Sequence, residues 1–150
     1  MKKIPTQEQL SILRVATYSY TENSAPLKSL IGKSINTRPF SIESEFAALK
    51  KLEQICMKNL LAYPRTLLGD KELLERDDLT LNQRNAATFT MKEKETLHAL
   101  IDFSNWAADL LMQTPNEAIW LIENEHSGMK PEWQNYLDVD LLPLLKSVHH

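Results

Sequence analysis

From Ile42 to Leu60 the residues Ile42, Phe46, Leu49, Leu52, Cys56 and Leu60 recur every three or four positions, the period of one face of an α-helix. A strand would need alternation, because its successive side chains point to opposite faces. The same spacing returns over Leu10, Leu13, Ala16 or Thr17, and Tyr20, and again over Leu97, Leu100, Ile101, Ala108 and Leu111. Composition agrees with this reading. The 150 residues hold 24 Leu but only 3 Val and 3 Gly, and Leu favours helices where β-branched residues favour strands. The expected fold class is all-α, a single irregular bundle of about 7–8 helices filling residues 1–150 as one helical domain.

Local signals place the helix ends. Thr6-Gln7-Glu8-Gln9 fits a capping box, so a helix is expected from Gln7 to Tyr20. A short helix from Pro26 to Ile31, stopped by Gly32, and a loop over 33–41 should follow. The next helix starts after Ser41 and runs to Ala62, since Pro64 disfavours helical backbone at Tyr63. Thr66 caps a short helix through Leu74. Thr80 to Gln83 and Thr90 to Glu93 are two more boxes, each expected to open a helix, the second running to Met112. Thr114-Pro115-Asn116-Glu117 opens another through Ile122, with Ser127-Gly128 as its stop. A last amphipathic piece from Glu132 to Val148 should be broken by Pro143.

Charge and chemistry narrow the function. A net charge of −3 gives no field that attracts phosphate backbones, so nucleic acid is not the expected partner. No apolar run reaches the roughly 18 residues of a membrane span, and the start of the chain is not an apolar signal core. The single cysteine, Cys56, suits a reduced cytoplasmic protein and lies on an apolar stripe, where a thiol packs as a small hydrophobe. Glu95, His98 and Asp102 are the best local metal set, yet they read as a solvated helix face. His126 is expected to sit at a helix end. Gly32, Gly69 and Gly128 are too far apart for a phosphate cradle. Leu79 to Leu100 has the outline of a helix-turn-helix, but Glu93 and Glu95 interleave with Lys92 and Lys94 where base readout needs a positive face. Residues 104–150 hold 7 acids against 2 bases, whereas 1–103 hold 13 against 15. That acidic extension also carries Trp106, Trp120 and Trp133, the candidate protein-binding residues.

The run Tyr63-Pro64-Arg65-Thr66-Leu67-Leu68-Gly69-Asp70, followed by Asp78-Leu79-Thr80, Arg84, Ala86, Glu93-Lys94 and Leu97, resembles the helical substrate-binding domain of the Rubisco large-subunit methyltransferase family. Pro39 to Phe46 and Leu13-Arg14-Val15 resemble two earlier helices of that domain, so the likeness covers about residues 10–103. Arg65, Gly69, Thr90 and Lys92 depart from the family pattern. In the family this lobe follows a SET catalytic domain and helps to hold a protein substrate. None of these 150 residues resembles a SET domain. The resemblance therefore implies a non-catalytic protein-interaction module without cofactor or metal, not an enzyme. The alternative is a separated fragment or accessory subunit of a protein methyltransferase that contributes substrate binding. The expected partner is a protein, a methyltransferase substrate or a host protein, which leaves delivery into a host cell open beside a cytoplasmic location. Residues 104–150 are expected to fold back over the apolar face that a SET domain would otherwise cover.

Overall fold

The computed structural model describes residues 4–21 and 38–148. Helix makes up 78% of them, and there is no strand among the described residues. The elements are α1 (Gln7–Thr21), α2 (Ile42–Leu61), α3 (Leu67–Leu74), α4 (Leu81–Met112), α5 (Pro115–Glu123) and α6 (residues 131–147). Helix α6 is continuous but irregular: a 3-10 turn at Pro131–Trp133, α-turns at Gln134–Tyr136 and Leu142–Ser147, and a π-turn at Leu137–Leu141 between them. None of the described helices is long and apolar enough to cross a membrane.

The all-α class holds, with six helices among the described residues instead of the expected 7–8. The helix expected at 26–31 lies outside the described residues. The caps at Thr6, Ser41, Thr66, Thr80 and Thr114 all form: each side chain accepts the amide three residues on. Thr90 does not start a helix. Its hydroxyl donates back to the carbonyls of Ala86 and Ala87, at 3.2 and 3.1 Å, inside the unbroken α4. No helix breaker separates Gln83 from Thr90, so the turn that a cap would need never arises. Pro143 likewise fails to break α6. Its missing amide and its ring would disturb the preceding turn, and the wider π-turn at Leu137–Leu141 accommodates both.

Helix α5 stops at Glu123, before the expected Ser127-Gly128. His126 donates its amide to the Leu121 carbonyl (2.8 Å) and Glu125 to that of Ile122 (3.2 Å), the bond pattern of a Schellman end. Glu125 occupies the left-handed position of that motif, with φ 58°, where glycine is usual.

One apolar cluster spans early and late segments. Leu10 of α1 joins Leu49, Leu52 and Cys56 of α2, Phe103, Trp106 and Leu110 of α4, Ile119 of α5, and Trp133, Tyr136, Leu141 and Leu145 of α6. Phe103 lies at its centre, edge-on to Tyr136 at 4.9 Å and to Trp133 at 6.1 Å, while Trp106 and Trp133 stack at 4.7 Å. Edge-to-face and stacked pairs match the positive ring edges to the negative faces.

Beside these rings lies a buried ionic network. Arg14 of α1 donates two bonds of 2.8 Å to the carboxylate of Glu45 on α2, and one of 3.1 Å to Asp140 on α6. The Tyr136 hydroxyl donates to Glu45 at 2.7 Å, and Arg38 reaches Asp140 from the surface at 2.9 Å. Burial opposes the charge on Arg14, but its bonds to Glu45 and the charges of Glu45 and Asp140 outweigh it and raise its pKa, so it stays ionised. Burial and the Glu45 charge push the Tyr136 hydroxyl well up, which keeps it a donor.

Two outcomes are expected. Ending the chain after Met112 uncovers Phe103 and Trp106 and removes Tyr136 and Asp140, so the product should aggregate or melt far lower; light scattering and thermal unfolding check this, and an equally stable monomer would contradict it. Glu125→Gly relieves a left-handed glutamate at a helix C-terminus and should raise unfolding free energy by about 0.5–1 kcal/mol in chemical denaturation.

Candidate protein-binding groove

Tyr63 leaves the end of α2 with its amide on the Leu60 carbonyl, and Pro64 keeps the chain from continuing as helix. Thr66 then opens α3 by accepting the Gly69 amide at 3.0 Å. This short corner sets Asp70 against α4. Asp70 is fully buried, and its carboxylate takes the Lys94 ammonium at 2.6 Å and the half-exposed Arg65 guanidinium at 3.1 Å. Lys94, itself buried, also lies 4.9 Å from the centre of the Tyr63 ring. The Tyr63 hydroxyl donates to Glu93, the neighbour of Lys94 on α4. Ring, ammonium and two carboxylates thus lock one another.

The electrostatics follow from that geometry. Burial pushes the Asp70 carboxyl up, but bonds from Lys94 and Arg65 and their positive charges more than offset it, so its pKa lies below the ordinary value. The Tyr63 hydroxyl is raised, first by its bond to Glu93, then by burial and the nearby carboxylate charges.

Against this lock lies a groove of about 530 Å³, with Asn59, Ala62 and Tyr63 from the end of α2 and Glu93, Thr96 and Leu97 from α4. Its surface offers a ring, aliphatic carbons, a hydroxyl, an amide and one carboxylate. Such a mixture takes an apolar side chain and a hydrogen-bond donor. A second cleft, of about 450 Å³, lies between α3 and the first half of α4. Arg84 crosses nearby and satisfies the last carbonyls of α3, donating to Leu74 and Arg76 at 2.8 and 2.7 Å.

The residues singled out from sequence lie elsewhere. Trp106 is buried, with its indole N–H on the Ser127 carbonyl at 2.9 Å, and Trp133 is buried against it. Trp120 is 54% exposed and stacks on His126 at 5.6 Å. Cys56 is buried on its stripe, and that burial pushes the thiol up, away from the thiolate. Glu95, His98 and Asp102 form no metal-holding group among the described residues, and Asp102 faces Lys130 at 3.8 Å. The groove carries no local signal of its own, because its two walls are thirty residues apart in sequence.

The Tyr63, Thr66, Asp70, Glu93 and Lys94 of the sequence pattern meet at one corner, while Arg84 binds the far end of α3, and a family model described as Rubisco LSMT substrate-binding matches residues 2–97. The chain belongs to the Rubisco LSMT substrate-binding family. All six groove residues lie inside the matched segment, whereas the three tryptophans lie outside it. Searches of curated proteins and of solved structures return no match.

Asp70→Asn leaves the buried Lys94 ammonium short of a counter-charge and should cost about 3–5 kcal/mol in denaturant unfolding, most of it recovered in Asp70→Leu/Lys94→Met. The pH dependence has a definite sign. A folded pKa below the ordinary 3.8 adds stability that is complete above that value and lost as pH falls through the depressed one, so acid unfolding of wild type carries a component that Asp70→Asn lacks.

Proposed function

We propose that this chain is a non-catalytic recognition module that binds a segment of a protein partner in the α2–α4 groove. The observation that carries the reading is the placement of the groove inside the segment shared with a substrate-binding family, with two of its lining residues, Tyr63 and Glu93, bonded to each other and the Tyr63 ring seated against the ion-paired Lys94. A wall fixed before the ligand arrives spares the entropy of ordering it on binding. The preferred occupant lays an apolar side chain against Tyr63, Ala62 and Leu97 and offers a donor to Glu93. No cofactor, metal or catalytic residue enters this reading. With a net charge of −3 and a thiol that packs as a hydrophobe, we assign it a protein partner in the cytoplasm and not a nucleic acid or a membrane.

The family description favours a second reading, in which the chain supplies substrate binding to a protein methyltransferase as a separated part or accessory subunit. Calorimetry with S-adenosylmethionine and co-purification of a SET protein bear on it directly. A stoichiometric micromolar heat on the chain itself would replace the non-catalytic reading.

Ala62→Phe tests the groove. Ala62 is exposed and lines the groove, so the larger ring occupies that space without removing a core contact. Partners captured on wild-type chain and identified by mass spectrometry should be lost on Ala62→Phe while melting stays unchanged. Capture of the same set by both would refute the groove as the binding surface.

A further inference from the structure

The first turn of α5 begins at Thr114 and Pro115, and its buried stripe is Ala118 and Ile119, with Ile122 half buried. Trp120 falls off that stripe and stays 54% exposed. Leaving an indole in water forgoes burial of one of the largest apolar side chains. Its position is nevertheless fixed: His126, brought back by the Schellman end of α5, stacks on one ring face with an interplanar angle of 22°. Beside the ring is a cleft of about 310 Å³ lined by Gln113, Glu117, Trp120 and Leu121.

Charge selects the occupant. Glu117 and Glu123 stand three residues before and after Trp120, so both carboxylates share its helix face one turn away. Both are exposed, and Glu123 meets only a loose Lys146 contact at 3.9 Å. The surrounding residues 104–150 carry 7 acids and 2 bases. Three other rings of the protein carry a cation over one face: Lys50 over Phe46, Lys94 over Tyr63 and Lys130 over the buried Trp133. Among the described residues Trp120 has none. A negative ring face flanked by two carboxylates is the complement of a guanidinium, which stacks flat on indole while its N–H groups bond the acids.

We infer that the Trp120 face of α5 docks an arginine side chain from a basic segment of a partner protein. This surface lies outside matched residues 2–97 and does not depend on the groove reading.

The test uses the full chain and capped octapeptides that alternate glycine with arginine, with glutamate or with leucine. Fluorescently labelled peptides report affinity by anisotropy, and the three indole N–H signals in the nitrogen-15 spectrum report location. The arginine peptide should bind saturably and move the Trp120 signal, leaving those of the buried Trp106 and Trp133 in place. Trp120→Ala, a surface change whose helicity circular dichroism checks, should weaken binding about two- to fivefold, and Glu117→Gln/Glu123→Gln should weaken it further as salt also does. Ala62→Phe should leave it unchanged, which separates this result from failure of the groove. Four results would each overturn the inference: equal binding of the glutamate peptide, tighter binding of the leucine peptide, full affinity in Trp120→Ala, or a Trp120 signal that moves with protein concentration alone through self-association.

Discussion

The guanidinium of Arg14 holds together three segments that sequence sets far apart. It is 1% exposed and meets Glu45, which is 31 positions away, and Asp140, which is 126 positions away. Taking such groups out of water costs several kcal/mol per ion, so the network is a modest source of net stability. Its force is selective. Any packing that turns α1 on its axis or slides α6 by a residue leaves a buried charge without its partner. The π-turn that accommodates Pro143 contains Asp140, so the irregularity of α6 and the aim of that carboxylate arise in the same turn. Tyr136, edge-on to Phe103 and bonded to Glu45, links the network to the aromatic core.

What could be read from sequence was local. The caps at Thr6, Ser41, Thr66, Thr80 and Thr114 need only a hydroxyl and an amide three residues on, and the stripes need only period. Thr90 carried the same letters and failed, because a capping box describes what a hydroxyl can do once the chain has turned there and does not itself turn the chain. Glu125 was illegible for the opposite reason: a glutamate in the left-handed region is disfavoured locally and is held by the bonds of the residues around it. The π-turn followed from proline chemistry in principle, but break and bulge are two answers to the same missing amide.

The site divides along the same line. Tyr63, Asp70, Glu93 and Lys94 stood out through their resemblance to a family pattern, yet nothing in their spacing says that Lys94 meets Asp70 or that Tyr63 lies over Lys94. Read alone, Lys94 was one of two lysines on a helix face, and its burial depends on a corner built 24 residues earlier. The tryptophans show the converse. Composition placed three in the acidic extension, but only the helix geometry separates Trp106 and Trp133, which face the Phe103 cluster, from Trp120, which does not.

The matched segment ends at residue 97, inside α4, while that helix runs on to Met112. The family boundary is therefore not a boundary of packing: Phe103 and Trp106 lie beyond it, yet share a cluster with Leu10, Leu49 and Cys56. Residues 106–145 supply much of that cluster, and the two surfaces proposed for a partner differ in kind. The α2–α4 groove is mainly apolar with one carboxylate, so desolvation governs what it takes. The α5 face is a ring between exposed acids, so its attraction fades as salt shortens the reach of charge to about 8 Å near physiological ionic strength. A partner that engages both must carry an apolar anchor and a basic stretch. Salt then weakens the α5 contact, which two carboxylates flank, more than it weakens the mainly apolar groove.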